Sequence, residues 1–156
     1  MAAQPLYSGL RRLALAALAL VISFGLTACG GAKAKAPTLS ADDITVIERQ
    51  AEGFLAARDR LPELARLVSA GDWTFTRNLI HGPMQEVGRE MLIINKSLDK
   101  KQRKEADKLA TALKESLAAL DEAARLQDAG KMQKAYSAVA ASFDAYSDVI
   151  PAEALS

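Results

Sequence analysis

From Ser40 onward the chain repeats one pattern, with apolar positions at steps of three and four and polar or charged ones between them. Steps of that size put the apolar side chains on one face of a helix. The pattern falls into four stretches. In the first, Ile44, Ile47, Ala51, Phe54 and Leu55 share a face that Leu61, Leu64 and Val68 continue. Pro62 either splits this stretch into a long and a shorter helix or bends it. The second stretch carries Trp73, Thr76, Ile80, Met84, Val87, Met91, Ile94 and Leu98. The third carries Ala106, Leu109, Leu113, Leu117, Leu120 and Ala124, with Ala110, Ala118, Ala119 and Ala123 widening a small-residue face. Met132, Tyr136, Val139, Phe143, Tyr146 and Ile150 mark the fourth.

The residues between the stretches are helix punctuation. Ser40 with Asp43 three residues on makes a capping-box-like start, with a carboxylate near the positive helix end. Gly71 is a stop and Asp72 an N-cap for a helix from Trp73 to about Leu98. Gly82-Pro83 interrupts that helix; the proline removes a donor and crowds the preceding turn, which predicts a kink that does not end the helix. Ala129-Gly130 ends the third stretch, and Pro151 closes the fourth because the residue before a proline avoids helical geometry. Residues 152–156 read as a loose tail. Four amphipathic helices on short links pack as antiparallel neighbours, so the expected fold is all-α, an up-down-up-down four-helix bundle over residues 40–151. Steps averaging about 3.5 residues suit left-handed packing at small crossing angles.

Composition narrows this picture without changing it. The chain has 156 residues, half of them apolar and a quarter charged, as one globular domain requires. A formal net charge of +1 lacks the basic footprint of a nucleic-acid binder. The one cysteine cannot form an internal disulfide. The free domain is expected to be monomeric.

The first 28 residues are an address rather than a helix of the fold. Arg11 and Arg12 precede an apolar run from Leu13 to Leu26, and small residues follow, the layout of a secretory signal. The run is short for a membrane span. Leu26-Thr27-Ala28-Cys29 resembles the lipobox of bacterial lipoproteins, which makes Cys29 the expected lipid-attachment residue and the membrane an expected partner. Cleavage before Cys29 leaves 18 basic against 19 acidic side chains. Residues 29–39, rich in Gly and Ala with Lys33, Lys35 and Pro37, read as a flexible tether.

Catalytic chemistry is hard to place on this sequence. There is no G-x-S-x-G, no P-loop, no G-x-G-x-x-G and no H-E-x-x-H. His81 is the only histidine. Its neighbours one turn away, Arg77 and Gln85, supply no second metal ligand, and a di-iron bundle needs paired E-x-x-H motifs. No catalytic residue, metal ligand or cofactor is therefore assigned. The rival to a purely structural bundle is a periplasmic lipoprotein that binds a small ligand, haem or metal, with His81 and a distant Met132 as haem ligands. Trp73 is either a core anchor or a contact residue. Arg77, Asn78 and His81 lie off the apolar stripe. Lys96, Lys100, Lys101, Arg103 and Lys104 form either a solvated link or a docking patch for an acidic surface. These nine residues are the partner-binding candidates.

Trp73–Pro83, W-T-F-T-R-N-L-I-H-G-P, resembles the opening of the second helix in cyanobacterial PsbQ-like proteins. Arg58–Leu64 (R-D-R-L-P-E-L), Asp121–Ala124 (D-E-A-A) and Val149–Pro151 (V-I-P) are similar to that family too, as is the lipobox. The resemblance covers essentially the whole mature chain. It implies a non-catalytic extrinsic subunit of photosystem II, lipid-anchored on the lumenal side of the thylakoid membrane, with lumenal photosystem II subunits as partners. It also implies a role in stabilising the oxygen-evolving complex and its assembly, and in retaining calcium and chloride at a manganese cluster held by other subunits. Position 75 is Phe where many relatives carry Tyr.

Overall fold

The computed structural model describes residues 39–155. The expected signal peptide (1–28), Cys29 and the tether as far as residue 38 lie outside the described residues. Leu39, assigned to the tether by sequence, packs against the core. The described chain folds as α1 (Ala41–Arg58), α2 (Leu61–Ser69), α3 (Trp73–His81), α4 (Val87–Ser97), α5 (Lys100–Arg125), α6 (Ala129–Ser147) and a 3-10 turn, Ala152–Ala154. No strand is present among the described residues. The helices build four arms: α1 with α2, α3 with α4, then α5 and α6 alone. Within them α1 packs on α4, α2 on α3 and α6, and α5 on α3, α4 and α6. This is the antiparallel four-arm bundle expected from the periodicity. None of its helices is long and apolar enough to cross a membrane.

Local chemistry sets the arm boundaries. Ser40 Oγ accepts the Asp43 N–H at 3.0 Å and donates to the Asp43 carboxylate at 2.5 Å. Pro62 is the second residue of α2, where its missing donor is not needed, so it splits the first arm rather than bending it. Gly71 has φ +65°, the Asp72 N–H reaches the Leu67 carbonyl at 2.9 Å, and the Gly71 N–H reaches Val68 at 3.1 Å. That is a Schellman closure, and Asp72 then caps α3 by accepting the Phe75 N–H at 3.1 Å.

Four expectations need correction. The second arm does not run through Gly82-Pro83 as a kinked helix. It stops at His81, turns over residues 82–86 and restarts at Val87. Pro83 has no N–H for the Leu79 carbonyl, which accepts instead from Met84, five residues on, at 3.2 Å. Met84 nevertheless stays buried at 2% exposure, so the apolar stripe survives the break. The third arm ends at Arg125, not at Ala129-Gly130. Gln127 takes the left-handed conformation (φ 57°), and the Asp128 N–H closes on Ala123 at 3.0 Å. Asp128 is then the N-cap of α6, so Ala129 and Gly130 open a helix rather than end one. Ala118 and Ala119 face solvent, whereas Ser116 is buried and donates to the Leu113 carbonyl at 2.8 Å. The segment after Pro151 is not a loose tail: its 3-10 turn packs on α1 and buries Ala154, because Pro151 fixes the turn and its carbonyl accepts the Ala154 N–H at 3.0 Å.

The core joins all four arms. Phe54 of α1 lies 5.4 Å from Phe143 and 4.9 Å from Tyr146 of α6, ring centre to ring centre. The buried Tyr146 hydroxyl sits 2.6 Å from Asn95 Oδ1 and 3.2 Å from the Met91 carbonyl, and Asn95 Nδ2 donates to Asp107 at 2.7 Å. Burial pushes the Tyr146 hydroxyl well above its usual pKa, and the nearby Asp107 carboxylate pushes it further, so it remains a donor. This chain of polar groups ties α4, α5 and α6 together.

Candidate functional site

The sequence candidates gather in two places. The first is α3. Its buried face, Thr76, Leu79 and Ile80, is held in the core, which turns Phe75, Asn78 and His81 outward. Trp73 is half-buried at the edge of the core, so it serves as an anchor and as a wall of the surface at once.

Two grooves flank this crest. One, of about 550 Å³, runs between α2 and α3, with Arg60, Glu63, Arg66, Phe75, Asn78 and Pro83 along it and Leu67 and Leu79 in its lining. The other, of about 310 Å³, lies between α3 and the end of α5, with Trp73, Thr74, Arg77, His81, Arg125 and Gln127 in its lining. Asn78 borders both. Phe75 stands 59% exposed, the most exposed of the large apolar side chains among the described residues. A phenyl ring so placed gains free energy only when something covers it.

Arg77 and His81 are less free than their positions off the stripe imply. Arg77 Nε donates to Asp121 Oδ1 at 2.9 Å, and His81 Nε2 lies 2.8 Å from the same oxygen. Asp121, on α5, is the site residue that spacing could not find, because it lies 44 positions from Arg77 and 40 from His81. The signal available was the D-E-A-A segment at Asp121–Ala124, noted for family resemblance and not for contact. Partial burial pushes the Asp121 carboxyl up, but hydrogen bonds from Arg77 and His81, with their charges, outweigh it and hold the group below the usual carboxylate range. The cluster is therefore a clamp between α3 and α5, with Asp121 accepting from both partners. It offers no nucleophile, and among the described residues no three His, Cys, Asp or Glu side chains gather as a ligand set. Met132 is fully buried in the core while His81 is exposed, which does not suit the pair as ligands to one haem.

The second place is the α4–α5 turn. Asp99 caps α5 by accepting the N–H groups of Lys101 at 2.7 Å and Gln102 at 3.0 Å. Arg103, though exposed, is engaged within the fold. Its guanidinium donates to the carbonyls of Asn95 (2.8 Å), Leu98 (3.0 Å) and Lys96, the orphan acceptors at the end of α4. Lys96, Lys100, Lys101 and Lys104 are exposed, and none of them makes an ion pair among the described residues.

Comparison with known proteins gives two findings. The model of the family described as "PsbQ: Oxygen evolving enhancer protein 3" matches residues 2–151. The protein named CyanoQ from Synechocystis sp. (strain ATCC 27184 / PCC 6803 / Kazusa) is 30% identical over 139 residues, which is 88% of this chain and 93% of that protein.

Proposed function

The chain belongs to the PsbQ family, and on that premise we propose that it helps stabilise the oxygen-evolving complex as an extrinsic, lumenal subunit of photosystem II. Members of the family are non-catalytic extrinsic subunits, in keeping with a site made of a clamp and two grooves. The observation that carries this reading is the family match, which runs over residues 2–151.

The finer proposal has three parts. Acylated Cys29 holds the protein at the thylakoid membrane. The α3 crest, with Phe75, Asn78 and His81 turned outward, meets the photosystem, and Trp73 and Arg77 flank it. The mechanism is mass action: a subunit that binds only the assembled complex stabilises it by RT ln(1 + [L]/Kd), about 2.7 kcal/mol when its concentration is a hundred times Kd.

The test is co-purification with a tagged photosystem II. The wild-type chain is expected in the complex, and Phe75→Ala with Asn78→Ala is expected to lower its occupancy about ten-fold, as loss of an aromatic contact at an interface does. Wild-type occupancy by that variant rejects the crest as the docking face. Absence of the wild-type chain from every complex rejects the photosystem reading itself. Cys29→Ser is expected to release the free chain from washed membranes, and unchanged retention rejects the anchor.

A further inference from the structure

Three of the four lysines at the α4–α5 turn occupy a place where folding does not favour them; the fourth, Lys96, lies in the last turn of α4. Lys100 and Lys101 are the first two residues of α5 and Lys104 follows one turn later, while the first turn holds no acidic residue. Helix N-termini carry partial positive charge, so each cation there opposes the helix dipole. At the neighbouring C-terminus of α4 the exposed carbonyls are already covered by Arg103. The negative end of α4 is thus neutralised from within, and the positive end of α5 is reinforced. Residues 96–104 hold five cations and one acid in a chain whose formal net charge is only +1. The positive charge is concentrated on one corner.

Topology says where that corner is. The first arm begins at Ser40, and α1 packs antiparallel on α4 with Gly53 beside Glu90, so the end of α4 lies beside the start of α1. The chain therefore enters the bundle at the end that carries the lysines. Of the acids at this end, Asp42, Asp43, Asp148 and Glu153 belong to α1 and to the segment from the end of α6 onward, while on α5 itself Asp107 accepts from Asn95 at 2.7 Å and Glu105 pairs with Lys108 at 3.6 Å, so neither is taken up by the four lysines. Cys29 precedes the bundle by nine residues, 30–38, a length of chain that can reach at most about 32 Å.

We propose that the α4–α5 edge, through Lys96, Lys100, Lys101 and Lys104, is a docking surface for an anionic lipid bilayer, which sets how the bundle sits on its membrane. Unpaired lysines on flexible stems suit a diffuse sheet of headgroup charge, and protein interfaces are depleted in lysine in favour of arginine and aromatics. No aromatic residue lies in the turn. Leu92, exposed one turn before Lys96 on α4, gives the edge an apolar side chain. The orientation rests on Cys29 as an anchor; the electrostatic attraction does not.

Residues 30–156 contain the whole compact unit Pro37–Ser156 with its closed core, and lack both the signal segment and the acylated cysteine. Sedimentation of this protein with phosphatidylcholine vesicles, with and without phosphatidylglycerol, separates charge from anchor. Binding is expected only to the phosphatidylglycerol vesicles and is expected to fade as salt rises. Each lysine near an anionic surface contributes about five-fold, so changing all four to Gln is expected to weaken binding by about a hundred-fold or more. Lys114→Gln with Lys134→Gln, two exposed lysines elsewhere on α5 and α6, is expected to leave it near wild type. The quadruple variant is expected to melt near wild type, since it removes three cations from the positive end of α5 and only one, Lys96, from the negative end of α4. Equal binding by wild type and quadruple variant overturns the proposal, as does wild-type binding indifferent to phosphatidylglycerol. So does a variant that keeps its vesicle binding but is lost from photosystem II complexes, which would assign the lysines to a protein partner. None of these vesicle outcomes depends on the photosystem reading.

Discussion

Asp121 and Glu90 are carboxylates that their surroundings push in opposite directions. Burial raises Asp121, but Arg77 and His81 more than reverse it, so the folded chain holds that proton less tightly than the unfolded one. Its contribution to stability is in full above the unfolded value near pH 4 and is lost as pH falls through the lowered one. Asp121→Asn is expected to cost about 1 kcal/mol at pH 7 and progressively less as pH falls below the unfolded carboxylate value, read from urea midpoints across the acid range. Glu90 lies against Gly53, where a Cβ would come within 2.0 Å of its Oε1, and its Oε2 is buried with no hydrogen-bond partner. Burial raises its pKa, the charge of Arg89 opposes this and that of Glu86 adds to it. The folded chain binds this proton more tightly, so the sign reverses: the contribution is present below the unfolded value and lost as pH rises through the folded one. Glu90→Gln is expected to raise the melting temperature at pH 7 and to match wild type at pH 3.

The elements are bounded by a few backbone devices, and two of them can be tested directly. Gly71 and Gln127 occupy the same left-handed position in two Schellman closures, each followed by an aspartate that caps the next helix. A side chain at such a φ carries strain of roughly 1–2 kcal/mol that glycine escapes, less its own backbone entropy. Gln127→Gly is expected to stabilise the protein by up to about 1 kcal/mol, measured by thermal unfolding. Gly82 is the converse case. Its φ is −108°, but a Cβ there would stand 2.8 Å from the Asn78 carbonyl oxygen, which is backbone and cannot step aside. Gly82→Ala is expected to lower stability by about 1–3 kcal/mol. The same variant shifts the α3 crest and is therefore a second probe of docking.

At the scale of the molecule, the bundle is held by a core that crosses every arm. Phe54 links the first arm to Phe143 and Tyr146 of the fourth, and Tyr146 links the fourth to Asn95 of the second. Arg58 of α1 adds an exposed pair with Asp144 of α6 at 2.7 Å, to which little stability is owed. Phe54→Ala is expected to cost about 3–5 kcal/mol, read as a fall in the urea midpoint with an unchanged slope. The two proposed faces, the α3 crest and the α4–α5 edge, lie on different parts of the bundle. A single copy can therefore meet a protein with one and a membrane with the other.

The sequence by itself determined the arms, because a helical face needs only local spacing, and nearly every position on the four stripes is buried or half-buried. It also supplied the N-caps at Ser40 and Asp72 and the family, the last through Trp73–Pro83. It could not locate breaks decided by competing closures. Gln127 ends α5 in a conformation normally left to glycine, so Ala129-Gly130 drew attention to the wrong residue, and Gly82-Pro83 made a five-residue turn where one proline predicts a kink. Only the tertiary structure placed Asp121 against Arg77 and His81, and Arg103 on the end of α4. Such contacts join residues that share no periodicity, and they form where the core has already set two helices side by side.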